Sequence, residues 1–217
     1  MHWKNFHMAE ARVERRLAAI LAGEVVDYSR LVEDDEADTL AVRRSRHRNV
    51  LEPIIARHQG RIFQFTFDSV LVEFDNAVNA VQCAVALQQA MVATNKDRPD
   101  SGHVLLRIGV DWGDVVAEGS DLYGDGVNIA VVLEGLAKPG GIIVSAAARE
   151  NMRSKAKIIF EDLGTQSLPN FTHPVHAYRV AAMNPETYDL LWALAFIALV
   201  VWLLYLGYLG AGPLLWD

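Results

Sequence analysis

The chain has 217 residues, of which 52% are hydrophobic, enough to bury one core with apolar sequence left over. Its formal net charge of −7 at pH 7 argues against nucleic acid as the main partner. Cys83 is the only cysteine, so an internal disulfide is excluded. Because Cys83 falls inside an apolar helical pattern, we predict that it packs inertly rather than acting as a nucleophile.

The first predicted element is a buried strand over residues 16–26, an apolar run that ends in β-branched residues. Residues 1–15 carry charges and no apolar run, so we interpret them as an N-terminal extension and not a secretory signal. Glu24 lies near the carboxyl end of the strand, where a carboxylate can face a ligand. A helical pattern then opens at Asp35-Glu36 and continues to His58, with a kink predicted at Pro53.

The middle of the chain alternates between strand and helix patterns. We predict a β-hairpin over 61–74 with Asp68 at its tip, helices over 77–95 and 127–137, and strands over 105–112, 115–118, 142–145, 158–163 and 175–180. The strand pair 105–118 is placed around Gly113-Asp114, which has turn composition. Strands interspersed with helices predict an α+β, ferredoxin-like sandwich over residues 16–182.

The C-terminal segment has a different composition, because residues 190–216 contain no charged side chain. A bilayer core needs about 20 apolar residues in a helix. We therefore predict a linker at 183–189, a single transmembrane helix at 190–210 and a short tail at 211–217, with a buried core helix as the alternative. Every Lys and Arg precedes this segment, which places the globular domain on the cytoplasmic side of the inner membrane.

The aromatic residues of this predicted helix are distributed unusually. Trp202 and Tyr205 fall towards the middle of the span, and Gly207 and Ala211 have the spacing of a small-residue packing face. One interpretation is that the helix packs against an integral membrane protein complex. The other is that these aromatic side chains face lipid.

A polar, glycine-punctuated loop runs into an apolar helix over residues 119–134 and suits the presentation of Asp121 and Asn128 to a ligand. Together with residues 21–29 and 63–69, this block resembles the class III adenylate/guanylate cyclase catalytic domain in both order and spacing. The resemblance covers residues 16–182 and implies the cyclase-homology fold. It also implies a site shared by two protomers packed head to tail, as a homodimer or as a heterodimer with another cyclase domain.

The resemblance implies roles for individual residues. Two carboxylates would hold Mg²⁺: Glu24 stands at the position of the first aspartate of the family, and Asp68 retains the second. Asp121 matches the aspartate that recognises adenine, and Gln64 stands at the position of its partner lysine. Asn128 matches the asparagine that orients the ribose.

Several positions depart from the family pattern. Val132 stands at the position of the arginine that stabilises the transition state, and Pro169 replaces a second phosphate-binding cation. Valine offers no hydrogen-bond donor, and losing one such donor typically costs a factor of about 10² to 10³ in rate. Around Asp68 the family has Gly-Asp-Gly where this chain has Phe67-Asp68-Ser69, and Asp27 likewise replaces a glycine.

These departures lead to a first hypothesis of a membrane-tethered, catalytically impaired cyclase-like domain that serves as a docking or regulatory subunit of a larger membrane complex. The alternative is a low-activity or heterodimeric nucleotide cyclase that converts ATP to cAMP, in which a partner supplies the missing cations. A third hypothesis is a nucleotide sensor that binds through Asp121 and Asn128 without turnover.

Overall fold

The computed structural model describes residues 14–27, 47–66, 68–96, 98, 103–152, 158–167 and 174–181. The strands are β1 (Glu14–Val25), β2 (Arg61–Phe65), β3 (Ser69–Phe74), β4 (Leu106–Glu118), β5 (Asp121–Tyr123), β6 (Ile142–Ser145), β7 (Phe160–Gln166) and β8 (Val175–Val180). The helices are α1 (Glu52–Arg57), which follows a π-helical turn (His47–Leu51), then α2 (Ala77–Asn95), α3 (Asp125–Leu136) and α4 (Ala146–Met152).

The described strands form one mixed sheet in the order β2-β3-β1-β4-β6-β8-β7, and β5 pairs with β4 beside this path. The β4–β6 pairing is parallel, and the other pairings along the sheet are antiparallel. The predicted α+β arrangement with a single sheet is therefore confirmed.

β1 is an interior strand between β3 and β4 and is covered on both faces, which explains its continuous apolar run. Ala19 and Leu21 pack with α2 in the larger core cluster, which also includes Ile55 of α1 and Ala148 of α4. Ala18, Ile20 and Ala22 belong to a second cluster with Val127 and Ala130 of α3. Of the described helices, α3 is the one that packs on this face of the sheet, and its packing decides the geometry there.

The prediction of two strands around Gly113-Asp114 was wrong, because β4 is one continuous strand of 13 residues. Its register with β1 runs without interruption from Glu14 opposite Ala117 to Val25 opposite Leu106. Gly113 serves close packing here and not a turn, since a Cβ at this position would lie 2.7 Å from Oδ2 of Asp111 and 3.1 Å from Cα of Gly126.

Other boundaries shifted less. Strand β1 begins at Glu14 and β7 covers Phe160–Gln166, whereas α2, β6 and β8 have the predicted bounds. Helix α4 was not predicted. The structure describes the predicted helix 35–58 only from His47 onwards. Pro53 lies in the first turn of α1, where its missing N–H costs no helical hydrogen bond.

The described part of the chain contains no helix that is long and apolar enough to cross a membrane. The predicted transmembrane segment 190–210, with its linker and tail, lies outside the described residues, as does the N-terminal extension up to residue 13.

Candidate active site

The structure brings the two predicted metal carboxylates to the same edge of the sheet. Glu24 is the penultimate residue of β1 and lies opposite Ser69 of β3, so Asp68 stands in the turn directly beside it. The backbone N–H of Val25 donates to the carbonyl oxygen of Asp68 at 2.7 Å. The hydroxyl of Thr66 donates to Oδ1 of Asp68 at 3.0 Å and steadies that carboxylate.

An arginine that the motif comparison did not single out lies opposite Glu24. Arg107 of β4 is its register partner across the β1–β4 ladder. One guanidinium nitrogen of Arg107 donates to Oε2 of Glu24 at 2.5 Å, and both side chains are about 30% exposed. Because charge-assisted hydrogen bonds are among the strongest that proteins form, this contact fixes the orientation of the Glu24 carboxylate.

Helix α3 adds a third carboxyl group to this cluster. Oε1 of Glu134 lies 3.4 Å from Nε of Arg107. The two atoms are close enough for an ion pair but not aligned as a hydrogen bond, and both are buried without another partner. Burial, a hydrogen bond with Glu24 and the charges of Glu24 and Asp68 raise the pKa of Glu134 to about 8. The positive charge of Arg107 acts in the opposite direction and lowers the pKa of Glu134.

Close packing between β4 and α3 makes this approach of Glu134 possible. A Cβ on Gly109 would lie 2.1 Å from the carbonyl oxygen of Ala130 and 2.3 Å from the backbone nitrogen of Glu134. Only glycine allows the helix backbone to come so near the strand. The position of Glu134 beside Arg107 follows from this contact.

The donor set at this edge suits a hard divalent cation. Glu24 and Asp68 offer carboxylate oxygens, and Mg²⁺ is usually held by one or two carboxylates together with the phosphates of a substrate. Among the described residues, no group of three or more His, Cys, Asp or Glu side chains is arranged to hold a metal by itself. Glu24 and Asp68 would thus hold Mg²⁺ or Mn²⁺ in company with a nucleotide.

The predicted base-recognising residues lie on two exposed strands. Gln64 is on β2 and Asp121 is the first residue of β5, and both are exposed. Arg61 lies three residues before Gln64 on β2. Its guanidinium donates to the carbonyl oxygen of Ser120 at 3.0 Å and so connects β2 to the residue preceding Asp121. The Gln64 side chain is an uncharged amide, so it does not supply the positive charge that the resemblance implies for a lysine at this position.

Helix α3 presents the remaining predicted residues on its outer face. Asn128 is exposed and Val132, four residues later, is half-buried, whereas Glu134 is buried on the inner face. In the described part of the chain, no hydrogen bond or ion pair joins Asn128 or Asp121 to Glu24 or Asp68. Within one chain, Asn128 and Asp121 are therefore not joined to the two acidic residues by a direct contact.

The structure describes two of the glycine replacements, Asp27 and Ser69, and Ser69 is the first residue of β3. Asp27 has φ of 53°, a left-handed conformation for which glycine is the ordinary choice and which aspartate tolerates better than most residues. The backbone at residue 27 thus has the left-handed conformation that a glycine would adopt, although the residue is aspartate. Phe67 and Pro169 lie outside the described residues.

The sequence analysis did not single out the half-buried Arg107 and the buried Glu134 of the site, nor the buried Asp111 elsewhere on β4. Asp111 is 2% exposed on β4, and burial raises its pKa to about 6 against the opposing hydrogen bonds from Ser145 and the backbone of Trp112. A charged residue inside an otherwise apolar strand or helix face was the available signal, because such groups are rarely buried without a partner or a function.

Comparisons with known proteins agree with this geometry. Residues 59–182 match the family described as the adenylate and guanylate cyclase catalytic domain. The putative adenylate cyclase 3 of Rhizobium meliloti (strain 1021) is 50% identical over 171 residues, which are 79% of this chain and 29% of that protein. Adenylate cyclase 1 of the same organism is 25% identical over 195 residues, again 29% of its length. The chain thus spans less than a third of these curated relatives.

Solved structures show the same fold. The adenylate/guanylate cyclase/hydrolase from Silicibacter pomeroyi superimposes with a TM-score of 0.73 at 38% identity and covers 78% of this chain and 99% of its own. The adenylyl cyclase CyaB from P. aeruginosa gives a TM-score of 0.67 at 23% identity over 78% of this chain and 96% of its own. From the matched residues and the shared sheet, this chain belongs to the adenylate and guanylate cyclase catalytic domain family.

Proposed function

We propose that this domain is a nucleotide cyclase subunit that supplies the metal-binding half of a composite site and makes cAMP from ATP when a partner domain supplies the cations. The observation that carries the proposal is the placement of Glu24 and Asp68 at one edge of the sheet, held by the contact between Val25 and Asp68. Two of the curated relatives that match the chain are named putative adenylate cyclase 3 and adenylate cyclase 1, which supports this proposal over that of an inert domain.

The chemistry divides between two chains in this proposal. A divalent cation bound by Glu24 and Asp68 would neutralise charge on the triphosphate and favour ionisation of the attacking ribose hydroxyl. On the partner, residues equivalent to Asp121 and Asn128 would hold the base and the ribose. A partner arginine and lysine would supply the donors that Val132 and Gln64 do not, so a homodimer of this chain has two weak sites, whereas a mixed dimer has one complete site.

A complementation experiment tests the proposal within this sequence. The donor variant carries Gln64→Lys, Val132→Arg and Pro169→Lys together with Glu24→Ala and Asp68→Ala, so that it has the cations but no metal carboxylates. We expect little cAMP from the wild-type chain or the donor variant alone. Their mixture should exceed either one by about 10² or more, the size of effect that one charged donor has on a transition state.

The controls separate the proposal from mere binding. The wild-type chain is replaced by its Glu24→Ala, Asp68→Ala variant, which should abolish the activity of the mixture with Mg²⁺ and with Mn²⁺. Size-exclusion chromatography verifies that mixed dimers form. Folded mixed dimers without cAMP production above this control would show that the carboxylate pair does not serve catalysis.

Val132 and Gln64 favour a second function, that of a regulatory or docking subunit that does not turn over nucleotide. In this reading a partner cyclase would show altered activity when the chain binds, and the change would persist in the Glu24→Ala, Asp68→Ala variant. Measuring partner activity with both versions of the chain distinguishes regulation from shared catalysis.

Attachment to the cytoplasmic membrane is a further part of the proposal and rests on the uncharged segment 190–210. The full chain should stay in the membrane pellet after alkaline carbonate extraction, whereas a chain ending at residue 182 should be released. Extraction of the full chain by carbonate would refute the anchor. Copurifying membrane proteins would identify a complex.

A further inference from the structure

Two arginines converge on one buried carboxylate near the β2 edge of the sheet. Glu73 of β3 is 6% exposed. Nε and Nη2 of Arg61 donate to its Oε2 at 2.9 and 2.7 Å, and Nη1 of Arg16 donates to its Oε1. Because charge-assisted hydrogen bonds are strong, and two of them start from one planar guanidinium, Arg61 is held in a single orientation.

The remaining nitrogen of Arg61 contacts a different part of the chain. Its Nη1 donates to the carbonyl oxygen of Ser120 at 3.0 Å. Ser120 lies in the two-residue turn between β4 and β5, and its hydroxyl donates to Oδ1 of Asp121 at 3.4 Å. Strands β3 and β1 separate β2 from β4, so the turn reaches Arg61 by folding across a face of the sheet. Leu122 of β5 and Phe63 of β2 pack in the same cluster on that face.

A β-bulge places Arg61 on the same face of β2 as Gln64. Residues three apart on a regular strand point to opposite faces. The β2–β3 register, however, shifts between Ile62 and Gln64. Arg61 lies opposite Glu73 in this register. Gln64 lies opposite Leu71, two residues earlier on β3 and hence on the same face. Arg61 therefore meets the β4–β5 turn from the face on which Gln64 lies.

We propose that Arg61 is a positioning residue for base recognition: it holds the turn beside Asp121 at a fixed distance from residue 64, and this spacing decides whether adenine or guanine is accepted. The inference rests on the proposed function, because it takes Asp121 as the residue that meets the base. It adds to that site a residue that the resemblance to the family did not imply.

The selectivity follows from hydrogen-bond chemistry. An ionised carboxylate accepts hydrogen bonds and donates none. Adenine offers an amino group at its 6 position, whereas guanine has a carbonyl oxygen there. A carboxylate held against this position attracts adenine and repels guanine, but only while the carboxylate is itself fixed. Release of the turn should therefore weaken ATP binding and leave GTP binding no weaker.

A purely structural role for Arg61 is the competing explanation, since its contact with Glu73 also joins β2 to β3. The two roles differ in one measurable quantity. Loss of a structural contact lowers stability and weakens the binding of both nucleotides alike. Loss of a positioning contact lowers the ratio of ATP affinity to GTP affinity.

The test measures nucleotide binding by calorimetry on the mixture of the wild-type chain and the donor variant, with Mn²⁺ present. The probes are 3′-deoxy-ATP and 3′-deoxy-GTP, which lack the attacking hydroxyl and so bind without turnover. With Arg61→Gln added to the donor variant, the Kd for 3′-deoxy-ATP should rise about tenfold, the typical effect of losing one charge-assisted hydrogen bond. The Kd for 3′-deoxy-GTP should not rise.

Two controls locate the effect. Arg61→Gln in the wild-type chain of the mixture should leave both Kd values unchanged, because in that chain the residue adjoins the incomplete site. Arg15→Gln in the donor variant removes one positive charge from an exposed pair with Asp114 and should also change neither value. An unchanged ratio, an equal loss for both nucleotides, or the same change from the wild-type chain would overturn the proposal. So would the absence of detectable 3′-deoxy-ATP binding by the mixture.

Arg61→Lys covers the case in which Arg61→Gln does not fold. Lysine keeps a charge for Glu73 but lacks the fork that reaches Ser120 at the same time, so a fall in selectivity supports the proposal and an unchanged ratio refutes it. Because the probes cannot be cyclised, the readout is independent of cAMP production. Production of cAMP with an unaltered ratio would remove this inference and leave the proposed function intact. The expected change in binding without any cAMP would do the reverse.

Discussion

Replacing Gly109 by alanine should disturb the site more than any change of similar size in the described part of the chain. The added Cβ would lie 2.1 Å from the carbonyl oxygen of Ala130 and 2.3 Å from the backbone nitrogen of Glu134. These are backbone atoms of α3, so no side-chain rotation relieves the overlap. An ordinary contact begins near 3.4 Å, and the helix would therefore have to move away by about 1 Å.

Overpacking of a core by one methyl group typically costs about 1–3 kcal/mol. Because both sides of this contact are backbone, we expect Gly109→Ala to lower the free energy of unfolding by about 3 kcal/mol. The same displacement moves Glu134 away from Arg107, so cAMP production by the mixed dimer should fall as well.

Urea unfolding followed by circular dichroism measures the stability change. Gly135→Ala is the control on the same helix, since nothing lies within 4 Å of a Cβ at that position. It should leave stability unchanged or raise it by up to about 1 kcal/mol, because alanine favours helix over glycine. Equal midpoints for the two variants would refute the close contact between β4 and α3.

Two further predictions concern buried titratable groups. Burial raises the pKa of Asp111 from 3.8 to about 6, so the folded state holds this proton more tightly than the unfolded state. The resulting stability is present below about pH 4 and is lost as pH rises through 6. The Asp111→Asn variant keeps a hydrogen-bond partner for Ser145. Between pH 4 and pH 8, its free energy of unfolding should therefore rise relative to that of the wild type by about 3 kcal/mol. Parallel pH profiles of the two proteins in urea unfolding would contradict this. Burial also raises the pKa of the Cys83 thiol to about 12, so a thiol reagent should modify it only after unfolding, and rapid labelling of the native chain would show that the α2 core opens.

The amino-acid sequence determined most of the elements and the family pattern. The apolar run of β1 and the periodicity of α2 are local signals, and both were predicted at nearly the observed positions. The motif spacing also identified Glu24 and Asp68, which the structure places side by side. Such features need only short-range information, because strand and helix patterns repeat within a few residues.

Only the tertiary structure decided which charged groups surround Glu24. Arg107 contacts Glu24 because the β1–β4 register sets them opposite each other, across 83 residues of sequence. Glu134 joins them because Gly109 lets α3 approach the strand. Gly113 likewise lies in β4 and not in a turn, and its missing side chain leaves room for Gly126 of α3. Register and close packing depend on distant segments meeting in space, and a single sequence carries no local signal for them.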